Sequence, residues 1–186
     1  ERVAGTTTQR YYSLGDQSLE ARDGTDQQVE RHIWGNRIDE LVASDLGTGG
    51  TRYYFSENAL GSNILATNSS GLVVEEYRYP DIYGQAQVYL CNDLGATRNC
   101  TPIPQTQIGN RHMFTGREFD QESGNYHYRA RAYSTRLGRF MQVDPIASGR
   151  LRNLYLYVDN APDRYSDPFG LQPCEEQVEP RDGRDD

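Results

Sequence analysis

Asp144 and Asp167 form the one pairing in this sequence that could break a bond unaided, and each stands directly before a proline. Two carboxylates brought within hydrogen-bonding reach resist ionising together, so one keeps its proton while the other stays charged. Such an asymmetric pair can take a proton from water and give one to an amide, the arrangement of the aspartic proteases. Spacing alone does not select that chemistry, because Asp-Pro is also a common turn opener. Arg131 reads in two ways as well. It could hold a nearby carboxylate in its charged form, or it could be an ordinary strand arginine paired with some acid.

The remaining chemistry-bearing residues make no recognisable set. His32, His112 and His127 lie in different segments, and no serine or cysteine beside them completes a nucleophile motif. GxGxxG and P-loop patterns are missing. Cys91, Cys100 and Cys174 lack histidines at ligand spacing, so neither a metal nor a cofactor is expected. Cys91 and Cys100 bound the stretch CNDLGATRNC and leave two readings open. They either close a local disulfide, implying an oxidising compartment, or stay free and buried. Asn68-Ser-Ser and Asn99-Cys-Thr match the glycosylation pattern, which matters only in a eukaryotic secretory pathway.

The elements that must position these residues read as short strands between turn signals. Candidates are Arg10–Leu14, Gln28–Ile33 ending at a Trp34-Gly35-Asn36 turn, Ile38–Ala43, Arg52–Phe55, Asn63–Thr67 and Leu72–Tyr79. In the last, Val73, Glu75, Tyr77 and Tyr79 share a face that mixes apolar and charged groups. Residues 84–109 are polar, proline-bearing and contain the paired cysteines; they read as a loop insertion. Asn125–Tyr133 reads as one strand, with Arg129, Arg131 and His127 on a common face that calls for acids or water. A turn at 134–138 and a partner strand over Arg139–Val143 follow. The tyrosines of EYRY, NYHY and NLYLY are most simply cross-strand packing partners.

Composition agrees with that reading. The chain has 186 residues, 35% apolar, with 14 Tyr and 18 Gly, which favours turn-linked strands over helices. Its net charge is −8 and all 19 basic residues are arginine, with no basic block to engage nucleic acid. No apolar run approaches the roughly 18 residues a membrane span needs, and no signal-peptide pattern is seen. Residues 172–186 are acidic and nearly free of apolar side chains, so a disordered tail is expected. Glu1 falls in strand-like sequence and reads as a cut end.

One ordered series of motifs resembles the core domain associated with RHS and YD-repeat proteins. It comprises Tyr79 and Tyr83-Gly84, Phe114-Thr115-Gly116-Arg117, Tyr126–Arg131, Gly138-Arg139-Phe140, Asp144-Pro145, Asn153-Leu154-Tyr155, Asn160-x-Pro162 and Asp167-Pro168-x-Gly170-Leu171. Arg31–Gly35, Ile38–Leu41 and Asn58–Ser62 are similar to segments found just upstream in such proteins. The likeness covers residues 11–171.

The resemblance implies an all-β fold: an antiparallel ribbon of YD/RHS-type repeats that curls into a shell-capping plug. Residues 1–113 would supply repeats, 114–171 the plug, and 172–186 the tail. It also implies an aspartyl autoprotease, with Asp144 and Asp167 as the carboxylates, Arg131 in support, and the cut between Leu171 and Gln172. No cofactor would be needed, and turnover would be single. Partners would be upstream repeats or other chains of the same assembly, with self-association through exposed strand edges, in a secreted or cell-surface setting. Three departures stand out. Ile146-Ala147 follows Asp144-Pro145 where many members have a glycine, the insertion carrying Cys91 and Cys100 is not a general family feature, and the tail is too short to fold as a toxin. A non-catalytic structural or adhesive module is therefore the rival, and a carbohydrate-binding module relying on aromatic content is the third reading.

Overall fold

The computed structural model describes residues 2–4, 7–146 and 153–171. Within them the protein is all-β, with every strand pair antiparallel and only two short 3-10 turns, Phe114–Gly116 and Val158–Asn160. Ten strands form one sheet in sequence order. They are β1 (Arg2–Ala4), β2 (Thr7–Leu14), β3 (Gln17–Arg22), β4 (Gln28–Trp34), β5 (Leu41–Leu46), β6 (Thr51–Glu57), β7 (Asn63–Thr67), β8 (Val73–Arg78), β9 (Gln87–Asp93) and β10 (Arg98–Ile103). A second sheet holds β11 (Glu118–Asp120), β12 (Asn125–Tyr128), β13 (Arg131–Ser134) and β14 (Arg139–Phe140), again in order.

A repeated device turns the chain between strands. An Asn or Asp opens the loop and its side-chain oxygen accepts amides two and four residues on, as Asn58 does from Leu60 and Ser62, both at 3.0 Å. Asn68 repeats it with Ser70 and Leu72, Asp23 with Thr25 and Gln27, and Asp81 with Tyr83 and Gln85. Short polar side chains satisfy loop amides that no ladder reaches, which is why these residue types punctuate the sequence.

Between the sheets lies a tyrosine-rich core of Tyr77, Tyr126, Tyr128, Tyr133, Tyr157, Phe114 and Phe140, with Met113, Val88, Ala66 and Val158. The Tyr133 and Tyr157 rings are 4.3 Å apart, and Phe114 stacks on Tyr133 at 6.3 Å. The hydroxyls that go inside are paired, as burial requires. Tyr128 Oη lies 2.6 Å from Thr115 Oγ1 and 3.1 Å from Tyr157 Oη, and Tyr133 Oη donates to the Tyr83 carbonyl at 3.0 Å. Gly84 permits this packing: at a φ of +88°, its missing Cβ would fall 2.2 Å from Phe114 Cγ.

Several sequence expectations are corrected. The segment 84–109 is not a loop: β9 and β10 form a hairpin whose facing residues Cys91 and Cys100 are disulfide-bonded. The stretch Asn125–Tyr133 is two strands, because Arg129, at a φ of +50°, turns the chain and sets Tyr128 opposite Arg131. That turn resets the alternation, so Tyr126, Tyr128 and Tyr133 all enter the core. β5 starts at Leu41 because residues 37–40 form a turn, with Asp39 at a φ of +58°. β4 runs through Trp34, whose indole donates to the Ser18 carbonyl at 2.8 Å. β3 and β11 had no sequence reading, and β14 is shorter than Arg139–Val143. The tail at 172–186, Ala147, Cys174 and the expected cut end at Glu1 lie outside the described residues.

Candidate functional site

Three segments build the site. β13 opens with Arg131, whose side chain is only 2% exposed and whose guanidinium carbon sits 3.6 Å from the Phe140 ring centre. Residues 144–146 supply Asp144, held by its own amide bonding the Leu154 carbonyl at 3.0 Å. The Asp167–Leu171 turn supplies the third part. It closes through the Gly170 amide to the Asp167 carbonyl at 3.1 Å and through the Leu171 amide to Asp167 Oδ1 at 3.1 Å.

Arg131 Nη2 lies 3.1 Å from Asp144 Oδ2 and 3.1 Å from Asp167 Oδ2. Arg131 Nε donates to the Gly170 carbonyl at 2.5 Å, and Nη1 reaches the Leu154 carbonyl at 3.4 Å. The two aspartates, 23 residues apart in the chain, therefore converge on one guanidinium beside the DPFGL turn. Their side chains are 7% and 2% exposed, so this is a largely dehydrated cluster in which charges interact strongly. Asp144 Oδ1 also accepts the Ile146 amide at 3.0 Å, so each aspartate gives one oxygen to a local turn and the other to Arg131.

Gly170 is required for this contact. Its φ is +65°, and an added Cβ would lie 2.2 Å from the Tyr128 carbonyl oxygen. Leu171 is partly buried at the end of the turn, whereas Gln172, on the other side of the expected cut, lies outside the described residues. Cys91 and Cys100, in the β9–β10 hairpin, have no place in this cluster.

A second charged group borders the first; its three residues fall at motif positions in the sequence, with no signal there that they meet. Asp39 is buried between Arg117, Nη1 to Oδ1 at 2.9 Å, and Arg129, Nη2 to Oδ1 at 2.7 Å and Nη1 to Oδ2 at 3.1 Å. Gly116 lets the chain approach, since a Cβ there would stand 2.4 Å from the Asp39 carbonyl oxygen.

Elsewhere, His32 and His112 meet edge to face at 4.9 Å although their segments are distant. Burial, helped by the charges of His32 and Arg111, holds the His112 imidazole well below its ordinary pKa. Glu30 lies next to them. Burial alone would raise its pKa, but the His32 ring and the Arg111 guanidinium 2.7 Å away bring it down to about 2. Among the described residues, Glu76, Cys91 and Cys100 lie close enough to suggest a metal-ligand trio, but both sulfurs are committed to the disulfide. No helix among them is long and apolar enough to cross a membrane.

No family model matches the chain. It is 27% identical over 174 residues, 90% of its length, to the tRNA3(Ser)-specific nuclease WapA of Bacillus spizizenii. It is 32% identical over 121 residues, 64% of its length, to the toxin subunit YenC2 of Yersinia entomophaga. The chain spans 7% of the first relative and 11% of the second. Among solved structures, the TcdB2-TccC3 crystal structure superposes with a TM-score of 0.62 at 25% identity, covering 89% of this chain and 8% of that one. Together these likenesses point to the RHS and Tc-toxin proteins, and the all-β fold matches the shell of the Tc toxins.

Proposed function

We propose that this chain is the C-terminal core of an RHS-type secreted or surface protein that caps a β-shell and cuts itself once between Leu171 and Gln172. On this reading residues 1–113 extend the shell and 114–171 form the plug. The observation that supports it is the shared guanidinium: Arg131 lies 3.1 Å from a carboxylate oxygen of both Asp144 and Asp167, and bonds the carbonyl of Gly170, one residue before the Leu171 carbonyl to be attacked.

One aspartate, as a carboxylate beside Arg131, takes a proton from water as the water oxygen adds to the Leu171 carbonyl carbon. The protonated partner hydrogen-bonds the developing oxyanion and passes its proton to the Gln172 nitrogen as the C–N bond breaks. One water is consumed, and the products are a Leu171 carboxylate and a Gln172 amine. The chain is its own substrate, so turnover stops at one.

Intact mass of the full chain tests this. Loss of the segment after Leu171 in wild type, and its retention in Asp144→Asn and Asp167→Asn, is the expected result. An uncut wild-type chain leaves a structural shell module as the better reading. That second reading draws on one observation: Asp144 and Asp167 use their Oδ1 atoms as the turn-forming Asn58 and Asn68 do.

A further inference from the structure

The β12–β13 turn is built from a residue ill suited to it. A two-residue hairpin with a positive φ is easiest for Asn-Gly, yet here Arg129-Ala130 occupies it, with Arg129 at a φ of +50°. A non-glycine side chain held in the left-handed region usually marks a place where that side chain is needed. Arg129 is 11% exposed and its guanidinium points two ways at once. One way it grips both Asp39 oxygens, at 2.7 and 3.1 Å, in the β4–β5 turn of the ten-stranded sheet. The other way it donates to the Pro168 carbonyl and lies 5.0 Å over the Phe169 ring, while the Ala130 amide bonds the Phe169 carbonyl at 3.2 Å. A further donation at 3.4 Å reaches the Asp16 carbonyl, in the β2–β3 turn of that same sheet.

The span from Asp167 to Gly170 is thus tied to the ten-stranded sheet through one arginine. Asp39 does not need Arg129 for charge balance, because Arg117 already bonds it at 2.9 Å. We propose that Arg129 and Asp39 are positioning residues for the self-cut: they seat the DPFGL turn against Asp144, so cleavage becomes possible only after the ten-stranded sheet has closed on the plug. This rests on the self-cleavage reading above. Neither residue touches the reacting atoms, so both act through the turn they hold. The consequence is an order of events, in which the chain folds its shell first and severs its end second.

The experiment follows the cut in refolded full chain by intact mass over time, beside thermal unfolding. Arg129→Gly is the informative variant, because glycine accepts a φ of +50° without strain and removes only the grip. It should keep a wild-type Tm yet cut roughly 10- to 100-fold more slowly, the scale expected when a reacting group is misplaced by about an ångström. Added methylguanidinium should recover part of the rate in Arg129→Gly and none in Asp144→Asn. Arg129→Lys, which keeps the charge but not the two-pronged contact, should fall between wild type and glycine. Arg129→Gly cutting at the wild-type rate overturns the proposal while leaving self-cleavage intact. A slow variant whose Tm falls in step, and which methylguanidinium does not help, overturns it too, since the defect is then one of folding. A wild type that stays uncut alongside Asp144→Asn sinks the cleavage reading and this inference with it.

Discussion

Arg131 carries two buried acids, and the energetics of that arrangement separate chemistry from stability. Removing one partner of a buried ion pair leaves an uncompensated charge, typically costing about 3–5 kcal/mol. Arg131→Gln should therefore both abolish the cut and lower the unfolding free energy by about 3–5 kcal/mol, read from urea denaturation. Asp144→Asn leaves Arg131 paired with Asp167, so it should abolish the cut with a much smaller stability loss. If Arg131→Gln proves as stable as wild type, the cluster is not the dehydrated set described above. The contrast matters because each aspartate also serves a turn, and a purely architectural role would make both substitutions alike in their effect on folding.

At the scale of elements, the connection from β10 to the four-stranded sheet depends on one carboxylate. Glu75 on β8 is fully buried and accepts from Tyr77 Oη and Thr106 Oγ1, both at 2.8 Å, and from the Gln107 and Ile108 amides at 2.6 and 3.2 Å. A carboxylate suits four donors because it only accepts. Glu75→Gln would turn an NH2 toward some of them, and unsatisfied buried groups cost about 1–3 kcal/mol each. The expected loss is about 2–3 kcal/mol, with faster hydrogen exchange at the Gln107 and Ile108 amides. Unchanged exchange there would show that Glu75 does not anchor the linker. The mixed face of Val73, Glu75 and Tyr77 in the sequence is explained by this contact, which lies 31 to 33 residues along the chain and gives no local signal.

For the whole molecule, the acid side of stability should fall in two steps. His112 is buried neutral with its pKa depressed below 6.5, so the unfolded chain binds the proton first, and stability declines as pH falls below about 6.5. Glu30 has a folded pKa of about 2 against an ordinary 4.5, so its contribution is present above about pH 4.5 and lost as pH falls toward 2. That shift corresponds to about 3 kcal/mol. Tm measured from pH 8 to pH 2 should show both declines, and Glu30→Gln should flatten the lower one. A single acid transition, unchanged by Glu30→Gln, would mean that the Glu30–Arg111–His32 group contributes little to holding the sheets together.

Some of this was legible in the chain because it is local. Strand spacing, the Asn and Asp turn openers, the polar tract after Leu171 and the Asp-Pro steps each follow from neighbouring residues, so the all-β reading needed no coordinates, while Arg131, Asp144 and Asp167 were singled out together by the family resemblance. The hairpin inside 84–109, the Arg129 turn and the bonds from Asp39 to Arg117 and Arg129 needed the tertiary structure. Arg129 defeats a sequence reading because its turn carries neither glycine nor asparagine, the residues that make a positive φ inexpensive. Asp39 defeats it because 78 and 90 residues separate it from the arginines it binds. Local propensity decides which residues turn and which extend. Which charges share a buried site depends on how the two sheets close, and that is a property of packing alone.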